Sequence, residues 1–204
     1  MPTQTTSRSG DPAALTAAVL DAAQSPTAIL PHLDRCDAAA VVFADYVAAS
    51  NVTVRIDDNL RIGRTRSAYY RPAEDLIALP PFGMIREVAQ HHWTAFHEAA
   101  HSTGHATRLA RDLTRGLGTK AHAREELTAV VAASIVCTAL GLRAETEAVH
   151  ENQLQIQLRQ LTDFDVTENI DAAWPAAKLM LGAHAPAWSE VTVQLPPASP
   201  TRDA

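Results

Sequence analysis

Val52, Val54 and Ile56 alternate with polar residues and end at Asp57-Asp58-Asn59, which predicts a half-buried strand running into a turn. A second strand is expected near 67–71. Asp75 to Leu79 reads as a third, after the turn at Pro72-Ala73-Glu74 and before Pro80-Pro81, because proline cannot donate to a ladder. Strands this close in sequence predict a small antiparallel meander. From Ile85 to about Thr103 the residues suit a long helix, with Gly104 placed as its C-terminal cap. Ala-rich segments at about 12–24 and 37–50 predict an N-terminal helical hairpin around Pro31. Further helices are expected near 122–140, 145–161 and 167–182, the last bent by Pro175.

Periodicity fades at both ends. Residues 1–10 and 186–204 read as disordered tails, the second rich in proline and serine, which leaves 11–185 as a single domain. Apolar residues make up 47% of the 204 and aromatics only 5%, so the core must be Ala, Val, Leu and Ile on closely packed helices. The expected class is therefore α+β, mainly helical, with the small antiparallel sheet packed on the helix at 85–103.

Charge and targeting signals narrow the function classes. A net charge of -6 with scattered Lys and Arg gives no general pull toward phosphate backbones, so direct nucleic-acid binding is not expected. No apolar run approaches a membrane span, and MPTQTTSRSGDP lacks the features of a signal peptide. Cys36 and Cys137 lack CxxC spacing and suit a reducing compartment. A soluble, cytoplasmic protein is expected.

Candidate chemistry gathers on the long helix. His97-Glu98-Ala99-Ala100-His101 is HExxH, which places two imidazoles one helical turn apart on one face, as a single metal ion requires. Imidazole is a preferred ligand of Zn²⁺, and a catalytic zinc uses three protein ligands with a fourth position open to water. Glu98 beside them is the expected general base that takes the water's proton. A metzincin would carry a third histidine six residues after His101, where this chain has Thr107, so that class is rejected. The third ligand is then sought on the helix beginning near Ala121, where Glu125 and Glu126 are the alternatives. Glu126 is preferred by a thin margin, with Ala129 and Ala133 on its face to let the two helices close, against Ala129 and Ala132 for Glu125; the competing role for either acid, weighted more toward Glu125, is a first-turn carboxylate serving the helix dipole.

The surrounding blocks resemble the C-terminal zincin-like domain of the ArdC antirestriction proteins of mobile genetic elements. Residues 68–80, AYYRPAEDLIALP, are similar to that family's AYYxPxxDxIxLP segment, and residues 97–111, HEAAHSTGHATRLAR, to its HExxHSTGxxxRLxR segment. AREEL at 123–127 resembles its YAxEELVAE. The resemblance implies a metal-binding fold with a small sheet over the motif helix and a metallopeptidase activity, and it also favours Glu126 as third ligand. Two departures stand out. Where the family has a glutamate four residues after that ligand this chain has Val130, which bears on how the histidines are supported, and a counterpart of the family's separate DNA-binding N-terminal domain is not expected in the roughly fifty residues before the strands.

Tyr69 and Tyr70 point to opposite faces of their strand, and Tyr70 is the candidate to line a cleft and contact substrate or an oxyanion. Trp93, one turn before His97, reads as a core anchor, Asp75 as a support for its turn, and His91, His92, His105 and His122 as surface residues. Two functions from different classes follow: a zinc metallohydrolase acting on a protein or peptide, or a metal-stabilised protein-binding module that does not cleave. A purely structural helical protein would bind no metal at all.

Overall fold

The computed structural model describes residues 16–18, 20, 21, 23, 29–60, 68–82, 87–114, 118–159, 161 and 163–186. Both expected tails, apart from Pro186, lie outside the described residues. Helix α1, Arg35–Ser50, starts where the Asp34 side chain accepts from the backbone N–H groups of Cys36 and Asp37. Of the first half of the expected N-terminal hairpin, residues 16–18, 20 and 21 are helical, and Leu20 and Ala23 are buried in the core.

The sheet differs from the meander that its chain order suggested. Strands β1 (Thr53–Ile56), β2 (Tyr69–Arg71) and β3 (Leu76–Leu79) stand in the order β1-β3-β2, with β1 parallel and β2 antiparallel to β3. β3 takes the centre because all four of its residues are buried, and a strand covered on both faces belongs in the middle. The uninterrupted run Leu-Ile-Ala-Leu carried that signal; the partly exposed β1 and β2 take the edges.

Four helices follow: α2 (Val88–Thr103), α3 (Lys120–Ala139), α4 (Arg143–Leu158) and α5 (Asp163–Leu181). α3 begins at Thr119, whose hydroxyl accepts from the His122 N–H, and every residue from Leu127 to Ala139 is buried. A helix buried all round belongs at the centre, and α3 packs against α2, α4 and α5 together. It stops at Gly141, whose φ of 76° lets the Leu142 N–H reach back to the Cys137 carbonyl at 2.7 Å. α5 runs through Pro175 as a single helix. Fully buried alanines, among them Ala99, Ala100, Ala129, Ala132, Ala133 and Ala176, keep these helices close, as the low aromatic content implied. Among the described residues no helix is long and apolar enough to cross a membrane.

A buried polar chain ties α2, α3 and α4 together. The Trp93 indole N–H donates to Ser134 Oγ at 3.1 Å, and Ser134 Oγ shares a hydrogen bond with His150 Nδ1 at 2.6 Å. Burial holds the His150 imidazole down at about 4, with the nearby Arg143 charge acting in the same direction. In the unfolded chain the same group takes up a proton near its ordinary 6.5. Across that window the unfolded state therefore binds more protons, and His150 costs stability as the pH falls, by at most about 3 kcal/mol. Urea unfolding of the metal-free chain should show a steeper loss between pH 7 and 5 than His150→Gln, a comparison in which the other titrating groups cancel. Parallel curves for the two proteins would contradict this.

Candidate metal centre

α2 presents His97 and His101 toward α3, with Nε2 atoms 3.3 Å apart and rings edge to face. Glu126 comes from α3 and straddles the pair, one carboxylate oxygen 3.5 Å from His97 Nε2 and the other 3.4 Å from His101 Nε2. Among the described residues these three form the one group of histidine, cysteine or acid side chains whose possible ligand atoms all lie within 4.8 Å of one another. The arrangement fits an ion. Ligands at about 2.0–2.1 Å in a tetrahedron stand about 3.3–3.4 Å from each other, which is close to the spacings found here. Burial would raise the Glu126 carboxyl, but the hydrogen-bonding histidines more than reverse this and hold it far below the usual range. Burial would likewise lower His101, yet the carboxylates of Glu125 and Glu126 outweigh that and hold it well above the ordinary imidazole value.

Glu98 is buried beside the cluster. Burial raises its carboxyl, partly offset by His97 and His101 and by a hydrogen bond from the Tyr70 backbone N–H. An open cleft of about 940 Å³ runs past His97, Glu98, His101, Glu126 and Tyr70. Tyr70 is thus at the cleft wall, but its hydroxyl donates to Asp75 Oδ1 at 2.7 Å. Arg108 grips the same carboxylate and also donates to the carbonyls of Ser50 and Ser102. This cluster ties the sheet to the ends of α1 and α2. Asp75 therefore does more than support its own turn, where its φ is 44°.

Several neighbours depart from their sequence readings. His91 and His92 are buried against Phe82 rather than on the surface. His122 lines the cleft, 3.5 Å from Glu126. Trp93 is buried as expected of an anchor and also stacks on the His97 ring at 5.2 Å. Gly104 caps α2, but with φ -75° it is not left-handed. Its lack of a side chain serves close approach instead, since a Cβ there would stand 2.9 Å from Leu113 and 3.1 Å from Arg111.

That close approach brings Arg111 to Glu125. Neither acid is in the first turn of α3, and Glu125 is not idle: Arg111 donates to its two oxygens at 2.8 and 2.9 Å, and Glu125 lies 3.2 Å from His101 Nδ1. The Nδ1 atom of His97, by contrast, is buried with no hydrogen-bond partner among the described residues, and Val130, one turn beyond Glu126, is fully buried. Sequence reasoning missed Arg111, Arg108 and the task of Glu125. The available signal was that these residues, like Asp75, stand at the matched positions of the quoted motif segments.

A HExxH helix facing an acid from the next central helix, with a small sheet alongside, defines a zincin-like fold. Residues 47–173 match the family of zincin-like metallopeptidases, and the chain belongs to that family. It is 39% identical over 116 residues to the DNA primase TraC of Escherichia coli, a match that covers 55% of this chain and 10% of that protein. It is 33% identical over 94 residues to the protein y4eC of Sinorhizobium fredii, covering 46% of this chain and 31% of that one. Among solved structures it resembles the antirestriction ArdC protein of plasmid R388, known in Mn(II)-bound and metal-free forms. The identity is 29%, with TM-scores of 0.51 and 0.50 over 70% of this chain and 52% and 50% of the other. The chain thus spans about half of that antirestriction protein and a tenth of the primase.

Proposed function

We propose that this chain is a zinc-dependent hydrolase, a peptidase, in which His97, His101 and Glu126 hold the ion and Glu98 is the general base. The observation that carries the reading is the convergence of three ligand atoms at tetrahedral spacings on the floor of an open cleft, with a buried carboxylate beside them. Two imidazoles and one carboxylate form a donor set well suited to zinc. When bound, the ion acts as a Lewis acid and lowers the pKa of its water to about 7. Glu98 takes up the proton, and its buried position, with a carboxyl raised above the ordinary value, suits it to hand that proton on to a leaving amine. Tyr70 at the cleft wall is a candidate contact for a peptide or protein substrate.

A second reading keeps the metal and drops the chemistry: a protein-binding module of antirestriction type. It is favoured by the unsupported His97 Nδ1 and by Val130 one turn beyond Glu126, a combination suited to a site that holds its ion without tuning it for catalysis. The net charge of -6 favours a protein over DNA as the molecule acted on in either case. The first test is metal stoichiometry on protein purified without a metal-affinity tag. About one zinc per chain is expected, since a three-ligand site holds one ion. Retention of less than about a tenth of that after zinc exposure and dialysis would remove both readings.

A further inference from the structure

His101 and His97 are held in different ways. The Nδ1 side of His101 faces Glu125, which Arg111 grips through Nε and one terminal nitrogen at 2.9 and 2.8 Å. The same guanidinium is anchored on the motif helix itself, donating to the Thr103 hydroxyl and the Ala100 carbonyl, each at 2.8 Å. Arg111 and Glu125 are both largely buried, so this is a fixed clamp rather than a surface ion pair. An ionised carboxylate only accepts hydrogen bonds, so Nδ1 of His101 must be the donor. In a neutral imidazole that leaves the Nε2 lone pair aimed at Glu126 and His97. His97 has no such acceptor among the described residues; its ring stacks on Trp93.

We propose that Arg111 and Glu125 form a positioning pair that sets the tautomer and orientation of His101 for the metal, and that they do so for this histidine alone. The assignment rests on the metal-centre reading above. It gives neighbouring glutamates on α3 separate tasks: Glu126 faces the ion, and Glu125 stands behind its ligand. Carboxylate support of this kind is worth about 10- to 100-fold in metal affinity.

The test compares zinc affinity, by competition with a chromophoric chelator, in wild type, Glu125→Ala and the charge-neutral double variant Arg111→Gln, Glu125→Gln. The double variant guards against misfolding, because it leaves no unpaired buried charge. Affinity should fall about 10- to 100-fold in Glu125→Ala and less in the double variant, whose amide oxygen can still accept from Nδ1–H. Saturating zinc should restore one ion per chain in both. The second readout is the imidazole N–H spectrum of the zinc-loaded protein. His101 should show one downfield, slowly exchanging Nδ1–H signal in wild type that is lost in Glu125→Ala, while no such signal is seen for His97. Wild-type affinity and an unchanged His101 signal in both variants would overturn the pairing while leaving the metal centre intact. Absence of zinc from the wild type would instead overturn the metal-centre reading, and the pairing with it.

Discussion

Glu126→Ala is expected to lose most of its zinc and with it the stability that the ion contributes to the folded chain. Its carboxylate is the acid that reaches both Nε2 atoms, and without it only two imidazoles face the ion. Glu125 cannot take its place. Adjacent helical residues are set about 100° apart, and Glu125 is already fastened to Arg111 and His101. A ligand present at about 100 times its dissociation constant stabilises by roughly 2.7 kcal/mol, which for a chain of this size is a rise of roughly 5–10 °C in melting temperature. Zinc should produce that rise in the wild type and leave Glu126→Ala nearly unmoved. In Glu125→Ala the rise should persist but require more zinc. If Glu126→Ala keeps its zinc while Glu125→Ala loses it, Glu125 is the third ligand instead; if both variants keep it, neither glutamate is.

The next largest effect concerns the reaction itself. Glu98→Gln should leave zinc content and folding unchanged, because the amide has nearly the same volume and keeps an oxygen for the Tyr70 backbone N–H. Removal of a general base typically costs about 10²- to 10⁴-fold in rate, so hydrolysis of unfolded protein substrates, followed by mass spectrometry of the products, should fall below detection. The two functional readings part here. A protein-binding module has no use for a proton acceptor at this position, so a Glu98→Gln variant that retains its full biological effect would sink the catalytic reading and favour the module.

Much of this arrangement was legible in the chain because it is local. Helical spacing alone puts His97 and His101 on one face, and Ala99, Ala100, Ala129 and Ala133, all fully buried, mark where two helices close on each other. The approximate places of the helices, though not their exact limits, and the Ala-dominated core followed from periodicity and composition in the same way. Strand direction did not: the run Leu-Ile-Ala-Leu marks β3 as the covered strand, but that β1 pairs with it in parallel joins segments distant in the chain and depends on the tertiary fold. The same holds for charge. Nothing in the letters Arg-Glu-Glu-Leu says which glutamate faces the histidines and which meets Arg111, since a rotation of α3 by one residue would exchange them. That rotation is fixed by the packing of α3 against α2, α4 and α5, together with the absence of a side chain at Gly104 that lets Arg111 fold back over the end of α2. Residue types and their spacing along one helix determined the chemistry on offer. Contacts between elements far apart in sequence decided how each group is used, because orientation and burial come from the neighbours that surround a side chain rather than from those that flank it in the chain.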